Sequence, residues 1–362
     1  MTPPAQPRVT LREIAARVGV SHVTVSKALR NHPKVSQKIR AKIQETAREM
    51  NYRPDPVLSS LTAYRNAKRP VVISNALAWI NHWKVPAALR QIGEFDTYWQ
   101  GASEAAEQLG YRLEEFVWDP AMSAKRLETI LATRNVLGIL LPPHGGQPQF
   151  PDLDWSRFSV VRFGLSLRRL PFHLVTSNQF RSLYGAVERM AGYGYRRIGF
   201  VLARQFDLNL GGSHVGGFLS AQSLLGLSPC LPPLLLDDPA DEAKTARAVT
   251  AWLRKHRPDA ILTAYPALPG LLEKLGVRVP DDVALAGTSL ADVPVSAGID
   301  QNSREIGRAA IQTVVSLIHA NERGLPAHPR HILVESRWID GPSLPRRSGQ
   351  AATGSRAKLR VP

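Results

Sequence analysis

A chain of 362 residues, 44% of them hydrophobic, has material for a large packed core and a smaller unit beside it. A single cysteine, Cys230, excludes an internal disulfide framework and suits a reducing compartment. The apolar runs, residues 231–236 among them, are too short and proline-broken to cross a bilayer, and the N-terminus has no apolar signal core. A cytoplasmic protein without a membrane partner is expected.

The net charge of +16 is unevenly placed. Residues 1–70 hold fourteen Lys and Arg against four Asp and Glu, about +10 in one fifth of the chain. Residues 1–8, with Pro3, Pro4 and Pro7, read as a flexible arm. Residues 9–53 read as three short helices. Thr10 and Glu13 form a capping box, and Leu11, Ile14, Ala15 and Val18 give the first helix one apolar face. Gly19 ends it. Ser21 caps a second helix, residues 22–30, with Val25, Ala28 and Leu29 inward. Pro33 closes that element. Ser36 caps a third helix, on which Ile39, Ile43, Ala47 and Met50 share a face. Helix, glycine turn and capped helix make a helix-turn-helix unit, whose second helix enters the DNA major groove. A plain three-helix bundle is the alternative. Clustered positive charge beside the unit favours DNA, giving phosphate affinity but no sequence information.

Residues 54–69 read as a hinge and linker. Pro54 stops the third helix, Asp55 is a good N-cap and Pro56 suits a first helical position. A short helix from there to about residue 63 would place Leu58 and Leu61 on one side. Too short to stand alone, it should form only against DNA and a second copy.

The spaced residues Thr10-Leu11-x-x-Ile14-Ala15, Gly19-Val20-Ser21, Thr24-Val25-Ser26, Val35-Ser36 and Asn51-Tyr52-Arg53-Pro54 resemble the lactose-repressor (LacI/GalR) family of bacterial transcription regulators. The resemblance implies a dimer on a pseudo-palindromic operator in double-stranded DNA. By that analogy His22, Val23 and Lys27 set base preference. Lys27 can donate to guanine, and Val23 can pack on a thymine methyl. Thr10, Ser21, Thr24, Ser26 and Asn31 position the head on phosphates, with Tyr52 and Leu58 also in the DNA-binding set. Leu61 stands where the family carries a minor-groove wedge; packing of a linker is the alternative. The family's Ala-Arg before that leucine is here Leu58-Ser59, and Arg65 could replace the arginine.

From residue 71 the pattern alternates. Strands are expected over 71–77, 112–118, 138–141, 159–163, 197–202, 260–263, 283–286 and 331–335. Helices are expected over 98–109, 123–133, 180–193, 216–225, 243–256, 268–275 and 303–320. Such alternation implies parallel sheets with helices on both faces. The resemblance implies the two-lobed, periplasmic-binding-protein-like form: two doubly wound parallel sheets over 70–342, for effector binding and dimerisation. The chain would cross between lobes near Ser177, Arg304 and Glu335. Residues 343–362 read as a disordered basic tail.

No nucleophile elbow, phosphate loop or correctly placed dinucleotide fingerprint is present, so no enzyme, cofactor or metal centre is expected. The family's cleft positions are altered. The usual Asp-Asn is Ser177-Asn178, an arginine becomes His214, Asn-Asp becomes Tyr265-Pro266, and the acidic pair after Gly-Phe becomes Ser289-Leu290. An arginine and three acidic anchors are gone, which weakens the case for a common hexose. After the first strand, a long aromatic segment runs from Ala78 to Trp99. Trp79, Asn81 and Trp83 could wall a pocket there, or the tryptophans could be core or dimer packing. Trp79, Asn81, Asn178, His214, Tyr265 and Ser289 are the candidate contacts for a small, carbohydrate-related effector. An activator or effector-independent regulator, or an α/β enzyme with a DNA-binding head, are the rivals.

Overall fold

The computed structural model describes residues 9–29, 35–50, 52, 75–119, 121–145, 152–167 and 169–347. The expected arm, Asn31 and the hinge with Leu58 and Leu61 lie outside the described residues.

The head is three helices: α1 (Leu11–Val18), α2 (His22–Leu29) and α3 (Gln37–Glu49). The Thr10 hydroxyl accepts from the Glu13 N–H while Glu13 Oε2 accepts from the Thr10 N–H at 2.6 Å, the reciprocal capping box. Gly19 ends α1 at φ +79°, a conformation that glycine adopts without strain. The Thr24 N–H donates to Ser21 Oγ at 3.1 Å and caps α2. Ser36 stands at the start of α3 but makes no side-chain cap bond, contrary to expectation. Ile14, Val25, Ala28 and Ile43 are fully buried where the helices meet. Ile39 is not part of that face; it is 41% exposed.

Beyond the head, the described residues form two six-stranded sheets. The first runs β11-β5-β4-β3-β1-β2 and is parallel throughout. Its strands are β1 (Asn75–Asn81), β2 (Tyr111–Val117), β3 (Val136–Leu141), β4 (Ser159–Phe163), β5 (His173–Ser177) and β11 (His331–Val334). The second runs β12-β10-β9-β8-β6-β7, parallel except for the β12–β10 edge pair. It contains β6 (Ile198–Ala203), β7 (Leu234–Leu236), β8 (Ala260–Thr263), β9 (Ala284–Gly287), β10 (Gly298–Asp300) and β12 (Arg337–Ile339).

Helices cover both sheets. On the first lie α4 (Ala88–Gln91), α5 (Gly93–Gln108), α6 (Ala124–Thr133) and a long helix, Ser303–Ala320. The second carries α7 (Gln179–Gly192), α8 (Arg204–Asn209), α9 (Ser213–Leu224), α10 (Glu242–His256) and α11 (Leu268–Lys274), which makes the long helix α12. Helices α5 and α12 approach to backbone contact at two glycines. A Cβ on Gly101 would strike the Arg304 carbonyl, and one on Gly307 the Tyr98 carbonyl.

The chain passes between the sheets three times: after β5 at Ser177–Asn178, after β10 at Gln301–Asn302, and between β11 and β12 at Glu335–Ser336. The crossings are tied together. The Asn178 N–H donates to the Val334 carbonyl at 3.0 Å, and Asn302 Nδ2 donates to the Glu335 carbonyl at 2.7 Å. Two expectations need correcting. The first strand runs through Asn81, so Ala78 to Asn81 belong to the sheet rather than to a loop after it. The chain also stays packed past residue 342. Leu344 is buried, the Leu285 N–H donates to the Ser343 carbonyl, and the Arg347 N–H to the Tyr193 carbonyl.

Candidate nucleic-acid interface and interlobe junction

Burial sorts α2 into two faces. Val25 and Ala28 are fully buried, while Ser21, His22 and Val23 at its N-terminal end are exposed. Val23 is 48% exposed, an apolar side chain that the head's own core does not use. Thr24, Ser26 and Lys27 are half-buried on the flank, and Thr10 is exposed at the start of α1. The Ser21 and Thr24 hydroxyls bond each other at 2.8 Å, which fixes both at the helix entry. Arg12 and Arg17 on α1, and Lys38 and Lys42 on α3, are exposed. Tyr52 packs against the head core, and its N–H donates to the Ala47 carbonyl, giving it a part in the fold.

Besides the crossings, the lobes meet at Glu94 and at Asn209. The Glu94 N–H donates to Asp292 Oδ1 at 3.3 Å, and Asn209 Nδ2 donates to the Gly145 carbonyl at 3.0 Å. On the first lobe, Trp83, Phe95 and His144 form an aromatic wall, with His82 stacked on His144 at 4.9 Å. Trp83 Nε1 donates to the Pro143 carbonyl at 2.9 Å, which fixes the ring. Burial holds the His82 imidazole down to about 4, so it is neutral at physiological pH.

A chain of buried polar groups runs through the crossings. Ser177 Oγ donates to Gln301 Oε1, Gln179 Nε2 donates to Ser177 Oγ, and Gln301 Nε2 donates to the Thr288 carbonyl. His214 extends the chain through Nε2 to Gln179 Oε1 at 2.5 Å. His214 is fully buried between Phe200 and Phe206, and burial lowers its imidazole to about 3. A neutral ring with Nε2–H donating is the form this geometry requires.

The six proposed effector contacts do not form one cluster. Asn178 lies at the first crossing, His214 reaches it through Gln179, and Ser289 stands in the β9–β10 loop. Asn178 caps α7 and donates to Glu335 Oε1; Ser289 Oγ donates to Asp292 Oδ2. Ser289 also borders a groove of about 550 Å³ with Thr97, Asp300, Ser303, Arg304 and Arg337. Trp79 is in the core, fully buried between Trp99 and Phe163, because β1 is covered on both faces. Asn81 is fully buried at the end of β1. Its Nδ2 donates to the Pro86 carbonyl and to Glu115 Oε1, while its Oδ1 accepts from the Trp83 N–H. It shapes the following loop and is closed off from solvent. Tyr265 packs with the cluster under α10 and α11, its hydroxyl donating to the Pro239 carbonyl. Glu94, Asp292, Gln179 and Gln301 were not singled out from the sequence. Each is an ordinary polar residue at the start of a helix or in a loop, and no spacing marks it. Among the described residues no group of acids, histidines or cysteines has a metal-site arrangement, and no helix is long and apolar enough to cross a membrane.

Residues 10–55 match the model of the bacterial regulatory proteins of the lacI family, and residues 187–344 match that of the periplasmic binding protein-like domain. The HTH-type transcriptional regulator GntR of Escherichia coli is 24% identical over 297 residues, covering 77% of this chain and 81% of that protein. The HTH-type transcriptional repressor PurR of Edwardsiella ictaluri is 24% identical over 361 residues, covering 92% and 98%. Among solved structures, a complex of the transcriptional regulator CelR with cellobiose superposes with a TM-score of 0.58 at 20% identity, covering 93% of this chain and all of that one. The lac repressor dimer bound to operator and the anti-inducer ONPF gives 0.52 at 17%, covering 94% and all of that chain. With its capped helix-turn-helix head and its two parallel sheets joined by three crossings, the chain belongs to the lacI family of DNA-binding transcription regulators.

Proposed function

We propose that the chain is a cytoplasmic, dimeric repressor that reads a pseudo-palindromic operator with α2 and answers to a small molecule held between its lobes. It acts by binding and not by turnover. The observation that carries the reading is the exposed N-terminal end of α2, where Val23 and His22 face outward on a helix whose other side is fully buried. His22, Val23 and Lys27 contact base edges, while Thr10, Ser21, Thr24, Ser26 and Asn31 contact phosphates. Leu61 wedges the minor groove. A two-fold dimer demands two-fold half-sites.

The aromatic wall of Trp83, Phe95 and His144 supports a ligand with ring faces, and a carbohydrate-related molecule fits this chemistry. One observation favours the effector-independent reading: the His214 Nε2–H is taken up by Gln179 Oε1 of the chain itself.

Selection of binding sites from a random duplex pool with the full-length protein tests the DNA reading. Enrichment of one palindromic motif is expected, and an unenriched pool would refute it. Thermal shift against sugars, sugar acids and nucleobases tests the junction, since a ligand bound by the native state alone raises the melting point. A shift that leaves operator affinity untouched would favour the effector-independent reading.

A further inference from the structure

Where the lobes touch, acid faces acid. Glu94 begins α5 on the first lobe, and Asp292 sits in the β9–β10 loop of the second. Besides the bond from the Glu94 N–H to Asp292 Oδ1, a Cβ on Gly93 would lie 2.5 Å from the Ala291 carbonyl oxygen, so the two segments meet backbone to backbone. Glu94 is 7% exposed, and its Oε1 is buried without a hydrogen-bond partner.

The groups around the carboxyl come from every neighbouring element. Tyr98 faces it from its own helix, Ser303 bonds it from the start of α12, and Asp292 and Asp300 face it from the second lobe. The nearby cations are committed elsewhere. Arg337 pairs with Asp300, Arg304 with Glu104, Arg308 with Glu305, and Arg90 with Asp96 and Glu115. Among the described residues no ion pair involves Glu94 or Asp292. Burial, and then the Asp292 charge, push the Glu94 carboxyl up to about 8. Burial raises Asp292 as well. With Glu94 buried and Asp292 half-buried, the two carboxylates cannot both ionise cheaply.

We propose that closing the lobes at this junction takes up a proton on Glu94, so that the lobe angle is a pH-sensitive switch with acid favouring the closed form. Separation would hydrate Glu94 and return it toward its ordinary 4.5. The closed form is therefore favoured most below about 4.5. Between about 4.5 and 8, opening releases one proton, and the open-to-closed ratio rises up to tenfold per pH unit. Above about 8 it levels off. The switch concerns lobe closure alone, so it stands or falls independently of operator and effector.

The test is energy transfer between dyes on Lys125→Cys in the first lobe and Lys255→Cys in the second, in a full-length Cys230→Ser protein. Labelled protomers are diluted with unlabelled ones. Transfer should fall as pH rises from 5 to 8. Glu94→Gln, which is neutral throughout, should hold the acid value at every pH. Asp292→Asn should make the rise in the open-to-closed ratio level off at a lower pH and reduce its total size, because the remaining acid ionises more easily in the closed form. A flat parent titration, Glu94→Gln titrating like the parent, or an unmoved Asp292→Asn titration would each overturn the proposal. Circular dichroism confirms folding of each variant, and if Glu94→Gln fails to fold, the Asp292→Asn titration decides.

Discussion

Replacing Trp79 by alanine separates a core role from a ligand role. The indole is fully buried on β1, with ring centroids 5.5 Å from Trp99 and 5.0 Å from Phe163. Truncating a buried tryptophan costs about 3–5 kcal/mol in lost transfer energy and cavity. At roughly 2–4 °C per kcal/mol for a domain of this size, the melting temperature should fall by roughly 6–20 °C. Trp79→Phe refines the argument. The indole Nε1 is buried without a hydrogen-bond partner, and such a donor costs about 1–3 kcal/mol. Phenylalanine removes that cost together with some volume, so it should destabilise far less than lost volume alone implies. Differential scanning calorimetry of the three proteins measures both effects. A Trp79→Ala protein that melts within a degree of the parent but loses its ligand would refute the core assignment and return Trp79 to the pocket wall.

Other substitutions test the remaining assignments. Lys27→Ala should weaken cognate operator binding by about 1–3 kcal/mol and relax preference at one base pair; titrations showing equal loss on every duplex would remove its readout role. Gly307→Ala drives a methyl into the Tyr98 carbonyl and the Ala102 amide, backbone atoms that cannot rotate away, and should cost at least about 1–3 kcal/mol in urea unfolding. Gly185→Ala, inside α7 with nothing within 4 Å of the new carbon, should instead gain about 0.5–1 kcal/mol. His214 stays neutral when folded but takes a proton in the unfolded chain below about 6.5, so it destabilises as pH falls from there toward about 3. Glu94 acts with the opposite sign, so the comparison is between variants. His214→Gln should flatten the acid loss of stability relative to the parent, and an identical slope would mean that His214 is not buried neutral.

The head was readable because its signals are local. A capping box needs only Thr10 and Glu13, and a terminating glycine needs only Gly19. Helix-length elements were also readable, since α12 and α5 repeat their apolar residues over several turns. The strands that escaped notice, β5, β7, β10 and β12, are three to five residues long. In β5 the buried residues include His173 and Ser177, which look solvent-facing in a sequence. They are satisfied from far along the chain, His173 by Glu322 at 2.7 Å and Ser177 by Gln301. The misplaced end of β1 has a similar cause. A parallel strand buried on both faces has no alternation to mark its end, and Trp79 and Asn81 read as pocket residues because the polar partners of Asn81 lie at Pro86 and Glu115.

The junction's polar groups divide by charge, and the division says what each part can do. Along the crossings, Ser177, Gln179, Gln301 and His214 are neutral, so each can be buried with one or two hydrogen bonds and no counterion. An arginine in place of His214 would bring a permanent charge into the same space between Phe200 and Phe206, and would require an acid or a ligand to meet it. The neutral histidine removes that requirement. Ionisable groups are instead concentrated at the other contact, where Glu94 and Asp292 oppose each other and, among the described residues, neither joins an ion pair. A neutral network makes the same bonds across the physiological pH range and can hold the crossings in register. A carboxyl pair does not, since its energy depends on a proton that water can remove once the lobes part. The sequence thus places a constant element at the pivot and a conditional one at the contact, the division that a hinge with an adjustable resting angle requires.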